Sequence, residues 1–134
     1  MVSPKSIEID ITKIKRASKE YDVEHFFNKI FDSLELEYQE QERILKGRPD
    51  CLIGEMIVDF KYDISKRQLN EWVNSKGRQY IQEYFESKGN YPSLLIVISE
   101  SYIYYYDTDV ILREHREIND RSIISLLELS LIHI

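Results

Sequence analysis

The residues best suited to chemistry lie in one stretch of the sequence, GRPDCLIGEMIVDFK, from Gly47 to Lys61. It places one acid, Asp50, before a short apolar run, and an acid and a lysine, Asp59 and Lys61, at the end of a second run. Alternate side chains of a β-strand point to the same face, so a strand through this second run puts Asp59 beside Lys61. The spacing therefore predicts a carboxylate and an ammonium group side by side.

A tight turn between the two apolar runs would bring both acids together. Gly54 lies between the runs and can adopt the positive φ that such a turn requires, so we predict a hairpin over residues 50 to 62. This hairpin folds Asp50 back toward Asp59. Two carboxylates a few Å apart repel each other unless a cation lies between them, and a divalent metal ion is the natural occupant.

Composition and charge limit what the rest of the chain can do. Its 134 residues are enough for one domain with a core, and the single cysteine, Cys51, cannot form an intramolecular disulfide. We find no apolar run long enough for a signal peptide or a membrane span, so we expect a soluble, cytoplasmic protein without a membrane partner. The three histidines lack the spacing of a zinc site.

The net charge of −6 argues against strong, free-standing, non-specific binding to nucleic acid, because neutralisation of phosphates drives such binding. The cations are nevertheless concentrated around the predicted hairpin, whereas the surplus acids lie elsewhere, notably after residue 99. A solvated helix surface is the ordinary alternative for such a run of charges. The cations in question are Arg43, Lys46, Arg48, Lys61, Lys66, Arg67, Lys76 and Arg78.

The N-terminal half predicts a helix followed by three strands. Alternation over residues 7–11 indicates a short strand or an extended arm. Asp22 is a candidate N-cap for a helix whose apolar residues recur at helical spacing. Residues 36–45 mix apolar and polar residues in the pattern of a strand with one solvent-exposed face. The apolar face consists of Val23, Phe26, Phe27, Ile30, Phe31 and Leu34.

After the hairpin, the pattern predicts a helix of roughly twenty residues that ends at Gly89, with Gly77 as a candidate break. Residues 93–99 are typical of a strand buried on both faces, and residues 101–106 of a second strand. The tyrosines of this second strand could stack nucleic-acid bases, although packing in an edge strand is the more ordinary use. A final helix over 118–132 would be capped by Asn119 or Asp120.

This order of helices and strands indicates an α/β sandwich with a mixed sheet. Pro49-Asp50, eight intervening residues and Asp59-Phe60-Lys61 also resemble the motif of the PD-(D/E)xK nucleases. The closest likeness is to the N-terminal nuclease modules of type I and type IIG restriction enzymes, which the stretches VEHFFNKIFDSL and SLLIVISESYIYYYD resemble. The resemblance implies a restriction-endonuclease-like α/β/α sandwich with an αβββαβ core, over roughly residues 20–106 of a single domain spanning 1–134.

The resemblance also implies a set of site residues. Asp50 and Asp59, with the backbone carbonyl of Phe60, would bind Mg²⁺ or Mn²⁺, and Lys61 would be the catalytic lysine. Glu24 matches the acid on the first helix of the family. An equal alternative is that its carboxylate only stabilises the N-terminal end of the helix by interaction with the helix dipole.

The family also carries a glutamine on the helix after the motif, and Gln79 matches it. The usual spacing places a tyrosine four residues later, whereas Tyr84 follows Gln79 by five. Gln68 with Trp72 gives a competing pair at the expected spacing, and Gln82 stays open as well.

The sequence and the resemblance together predict a Mg²⁺-dependent DNA endonuclease domain that hydrolyses phosphodiester bonds. Its partners would be DNA and methyltransferase, specificity or motor domains in the same chain or complex. The apolar C-terminal SLIHI has no capping glycine or polar tail, so we expect the first module of a longer protein. The alternative is a catalytically inactive nuclease-like module for nucleic-acid binding or assembly.

Overall fold

A mixed six-stranded sheet forms the centre of the structure, a computed structural model that describes residues 3–34, 39–40 and 51–132. The strands lie in chain order across the sheet, and only β3 and β4 run parallel, all other neighbours being antiparallel. The strands are β1 Gln39–Glu40, β2 Cys51–Ile53, β3 Met56–Phe60, β4 Leu94–Ile98, β5 Tyr102–Tyr106 and β6 Leu112–Glu117.

Helices cover both faces of this sheet, which confirms the expectation of a mixed α/β fold. None of the helices in the described ranges is both long and apolar enough to cross a lipid bilayer. After a 3₁₀ turn at Pro4–Ser6, they are α1 Ile11–Lys15, α2 Glu20–Ser33, α3 Lys66–Trp72, a π-helical turn at Val73–Gly77, α4 Arg78–Lys88 and α5 Asp120–Ile132.

The first face of the sheet packs against α2 and α5. From β3, Met56, Val58 and Phe60 point to this face, and the ring of Phe60 stacks on Phe27 of α2 with centroids 6.0 Å apart. The apolar face predicted for α2 is buried as expected. Its burial, together with that of Ile123, Leu126 and Leu127 of α5, forms the larger of two cores.

The second face packs against the segment from α3 to α4. Ile57 of β3 and Leu95 of β4 lie here beneath Leu69, Val73 and Tyr80. All five residues of β3 are buried, with Met56, Val58 and Phe60 in the first core, Ile57 in the second, and the Asp59 carboxylate on the same side as Ile57. Each buried Å² of apolar surface contributes about 25 cal/mol, so this central strand is a main source of stability.

The predicted hairpin is confirmed over the described residues 51–62. Gly54 has a φ of 55°, and Cys51 lies opposite Val58 in the antiparallel register. Of the strand predicted over 36–45, the described residues are those of β1, which pairs with β2. The predicted strand over 93–99 is β4, and Asn119 accepts a hydrogen bond from Ser122 N at 2.8 Å as the cap of α5.

Two predictions about the N-terminal region need correction. The short strand predicted over 7–11 is not formed, whereas the alternative of an extended arm fits the extended backbone of Ile7 and Asp10. The helix α1 begins at Ile11, and the Asp10 carboxylate caps it by accepting from Thr12 N. The next helix, α2, begins at Glu20 rather than after Asp22. Asp22 instead accepts hydrogen bonds from the backbone and hydroxyl of Ser18, which hold the pKa of its carboxyl below the usual value.

The sequence reading also missed β6, and with it the position of β5. All residues of β6 are exposed and most are charged, so no apolar alternation marks the strand. Because β6 pairs with β5, the tyrosine-rich strand lies inside the sheet rather than at its edge. Tyr105 and Tyr106 are buried in opposite cores, and burial raises the pKa of each to about 12.

The predicted break at Gly77 is a π-helical turn that joins α3 to α4 without interrupting the helical path. Gly77 is buried there, and a Cβ atom added to it would lie 3.0 Å from Cδ2 of Leu95. The missing side chain therefore lets the helical segment approach the central strand β4 closely.

We expect Gly77→Val to lower the free energy of unfolding by about 1–3 kcal/mol, because the added side chain overpacks the buried Leu95. Chemical denaturation monitored by circular dichroism measures the change. Lys76→Val is the matched control, since it places the same side chain on an exposed position of the same turn. Equal stability of the two variants would contradict the close-approach argument.

Candidate functional site

Asp59 and Lys61 meet at the carboxyl end of β3. The Nζ atom of Lys61 lies 2.9 Å from Oδ2 of Asp59, and the two side chains are 20% and 5% exposed. Both side chains lie on the same face of the strand, as the sequence predicted. Ile57 on this face packs with Leu69 of α3. The carboxylate is thus buried beside a cation that still reaches solvent.

Hydrogen bonds to the neighbouring strand hold this strand end in place. Lys61 N donates to Ile98 O at 2.8 Å, which continues the pairing of β3 with β4 one residue beyond the strand. Two residues later, Asp63 N donates to the Glu100 carboxylate, with 2.9 Å to each oxygen. Asp63 itself has a φ of 51°, a left-handed conformation that aspartate tolerates better than most residues. The backbone on both sides of Tyr62 is therefore fixed to the β4 side of the sheet.

Two further groups surround the lysine. Its Nζ atom lies 4.4 Å from the ring centroid of Trp72 in α3, a distance typical of a cation–π contact. On the other side, Oε1 of Glu20 in the first turn of α2 lies 4.0 Å away. Lys61 is therefore positioned by residues from β3, α3 and α2 together.

These groups line an open groove of about 590 Å³. One wall comes from the segment that enters α2, another from the segment after β3, and a third from α3. The groove carries two cations, Lys19 and Lys61, and two acids, Glu20 and Asp63. Its lining residues are Ser18, Lys19, Glu20, Lys61, Tyr62, Asp63, Ile64, Gln68 and Trp72.

Several predicted site residues lie outside the described residues. Asp50, the first acid of the motif, is among them, and so are the flanking cations Arg43, Lys46 and Arg48. The predicted meeting of Asp50 with Asp59 therefore stays a prediction. The described pairing of β2 and β3 ends at Cys51 opposite Val58, the residues adjacent in the chain to these two acids.

Glu24 and Phe60 both lie in elements that border the site. Glu24 is partly buried in α2, one helical turn after Glu20, which places the two acids on the same side of the helix. The Phe60 side chain is buried in the core against Phe27, so only its backbone carbonyl could bind a metal ion.

The glutamines divide between two locations. Gln79 is exposed on α4, and its Nε2 donates to Glu83 Oε1 at 2.9 Å, while Gln82 makes the equivalent bond to Glu86. Gln68 instead lines the groove. Its side chain accepts from Ser65 N, while its own backbone N–H donates to the Ser65 hydroxyl, which completes a capping box at the start of α3.

The structure thus brings the pair Gln68 and Trp72 to Lys61, and leaves Gln79 outside the groove lining. Sequence reasoning named Gln68 and Trp72 only as an alternative, and it did not single out Glu20 as a neighbour of Lys61. The family spacing of four residues was the signal that favoured Gln68. For Glu20 the sequence carries no comparable signal, because its proximity to Lys61 depends on how α2 meets the sheet.

The donor atoms near Asp59 fit part of a magnesium site. Across the described ranges, no three histidine, cysteine, aspartate or glutamate side chains are grouped so as to hold a metal ion. Mg²⁺ is nevertheless often held by one or two carboxylates together with water and substrate phosphates. Asp59 and the carbonyl of Phe60 are hard oxygen donors of this kind.

Comparisons of the chain with protein-family models, with curated proteins and with solved structures give no significant match.

We expect Lys61→Met to lower the free energy of unfolding at neutral pH by about 2 kcal/mol, because it leaves the buried Asp59 carboxylate without its cation. Chemical denaturation measures this effect, with Lys66→Met on the exposed first turn of α3 as the matched control. In the background of Asp59→Asn, the same lysine substitution should cost much less, since the charge to be compensated is gone. Additive effects of the two substitutions would show that the pair is not coupled.

Proposed function

We propose that the chain is a Mg²⁺-dependent DNA endonuclease domain with a restriction-endonuclease-like fold. It would act as the cleavage module of a restriction-modification enzyme, while recognition, methyltransferase or motor domains in the same chain or complex select the target. The pairing of Asp59 with Lys61 at the open end of a buried strand is the observation that carries the proposal.

The arrangement of elements supports the proposed fold. A helix, α2, precedes three antiparallel strands, and a helical crossover leads from β3 to its parallel neighbour β4. Helices lie on both faces of the sheet. This is the αβββαβ order that the sequence resemblance implies, extended by β5, β6 and α5.

The proposed site residues have distinct chemical roles. Asp59, the Phe60 carbonyl and Asp50 would hold Mg²⁺, with Asp50 supplying the second carboxylate. When bound, the metal ion lowers the pKa of a coordinated water and offsets negative charge on the scissile phosphate. Lys61 lies next to Asp59 and lines the groove, so it can hold a phosphate oxygen or orient the attacking water by a hydrogen bond.

The residues around Lys61 would set its position during this reaction. Trp72 contacts the ammonium group from the α3 side, and Glu20 is the nearest acid on α2. Lys61 lines the groove, so its ammonium group would turn from Asp59 toward a phosphate bound there. Glu24, one turn beyond Glu20, would bind an outer-shell water.

An inactive nuclease-like module is the second candidate function. Asp59 is only 4% exposed and lies within hydrogen-bond distance of Lys61, as in a purely structural ion pair. Such a module would bind nucleic acid or partner proteins without a metal ion. Metal binding therefore separates the two candidates.

We expect isothermal titration calorimetry to detect Mn²⁺ binding by the chain, and Asp59→Asn to weaken it at least about tenfold, a loss of roughly 1.4 kcal/mol or more. The substitution removes the charge and keeps the side-chain shape. Asp109→Asn is the matched control, because it removes an exposed carboxylate in the turn before β6. If the wild-type chain binds no Mn²⁺, the inactive module is the better description.

Cleavage of plasmid DNA should require Mg²⁺ and decline at least about a hundredfold in Lys61→Ala, because the variant lacks a cation at the reacting phosphate. Lys66→Ala should cleave like the wild-type chain. Both variants are assayed below the temperature at which either begins to unfold. Cleavage that persists in Lys61→Ala, or that continues in excess chelator, would contradict the assigned roles.

A further inference from the structure

The strand β6 forms one edge of the sheet. It pairs with β5 on one side, and within the described ranges no strand covers its other side. All six of its residues are exposed, including Leu112, and Ile111 just before it is exposed as well. Open strand edges of this kind can pair with a further strand.

Hydrogen bonds to β5 determine which residues of β6 face outward. Ile118 N donates to Ser101 O, so the backbone of Ile118 points toward β5. Tyr102 O accepts from Ser99 N, so the backbone groups of Tyr102 point away from β6. Tyr102 and its partner Glu117 therefore form a non-hydrogen-bonded pair. Backbone groups alternate along a strand, so His115 and Glu117 present their N–H and C=O groups to the open side.

The side chains of β6 are complementary to the same sequence read in the opposite direction. When two antiparallel copies are centred on His115, Glu114 of each copy lies opposite Arg116 of the other. This charge complementarity is limited to residues 114–116, because the pairing of β6 with β5 shifts register at Arg113. Directly opposite residues share a face of the sheet, where opposite charges stabilise and like charges destabilise the pairing.

The neighbouring registers lack this complementarity. In an antiparallel pair, residues whose backbone N–H and C=O groups face the partner strand must lie opposite each other. The two-fold centre of the pairing therefore always falls on a residue, and the nearest alternatives to His115 are Glu114 and Arg116. A centre at Arg116 places two arginines opposite each other, and a centre at Glu114 places two glutamates opposite each other. Only the register centred on His115 pairs opposite charges and lets His115 exchange both backbone hydrogen bonds with its counterpart.

We propose that β6 is a self-association surface, on which a second copy of this chain adds its own β6 in antiparallel orientation centred on His115. The result is a symmetric dimer with one continuous sheet. This inference does not depend on the proposed nuclease activity.

The contacts within one chain are compatible with this pairing. Arg116 bonds Glu114 on its own strand and Ser125 Oγ of α5 at 3.1 Å, so both charges are already held on the α5 face of the sheet. A dimer would join two such pairs into a cluster of four alternating charges. Arg113 bonds Asp107 at 2.6 Å. The pairing of β6 with β5 shifts register between Tyr105 and Tyr106, so the regular part of β6 starts at Glu114.

Charges on an edge strand normally prevent pairing with other chains. Here they would exclude strands with a different charge order while accepting a copy of the same strand. A strand-to-strand contact buries less area than a standard protein interface, so we expect a weak dimer whose population rises with concentration and falls with salt.

Sedimentation equilibrium of the full chain over a concentration series tests the proposal with paired charge reversals. Glu114→Arg places cations opposite cations, and Arg116→Glu places acids opposite acids. Each variant alone should therefore self-associate at least about tenfold more weakly than the wild-type chain. In an equimolar mixture, the two variants present opposite charges to each other, so a heterodimer should form.

Glu71→Arg is the matched control, because it makes the same charge change and breaks a comparable bond to Arg67 on the exposed surface of α3. It should dimerise like the wild-type chain. Circular dichroism checks that each variant is folded.

A monomeric wild-type chain at millimolar concentration would overturn the proposal and would leave the edge to another partner. A dimer that neither reversal weakens would also overturn it, and so would the failure of the mixed variants to associate.

Discussion

The parallel pairing of β3 with β4 is the constraint on which the rest of the structure depends. Both strands are buried on both faces, so helices must cover the sheet above and below. Because β4 is parallel to β3, the chain must also cross back to the end of the sheet at which β3 begins. The segment from α3 to α4 makes this crossover. Its close approach at Gly77 and the shared carboxyl ends of the two strands then place Trp72, Lys61 and Asp59 together.

A buried carboxylate at the end of such a strand is costly unless a cation compensates it. Lys61 provides this compensation by alternation alone, since it lies two residues after Asp59. The ammonium group remains partly exposed and lines the groove. The same contact therefore stabilises the strand end and leaves a partly exposed cation beside the groove, so the structural and the catalytic interpretations begin from one pair of residues.

Local patterns in the sequence were sufficient for the elements with a strong periodicity. The period of two around Asp59 and Lys61, the helical spacing of the apolar face of α2 and the glycine of the hairpin turn each predicted what the structure contains. β6 could not be found in this way, because an exposed strand of charged residues has no apolar alternation. The contact of Glu20 with Lys61 depends on the angle at which α2 meets the sheet, which no short window of sequence encodes.

The symmetry of a dimer formed through β6 decides whether the two candidate sites could share residues. Antiparallel partners in one sheet are related by a two-fold axis perpendicular to it, since directly opposite residues share a face. β6 runs in the same direction as β3, because β4 is parallel to β3 and each later neighbour is antiparallel to the one before. The carboxyl end of β3 in a second copy would therefore point the opposite way. Two candidate grooves in such a dimer would open at opposite ends of the continuous sheet, so each Asp59–Lys61 pair would have to act without residues from the other copy.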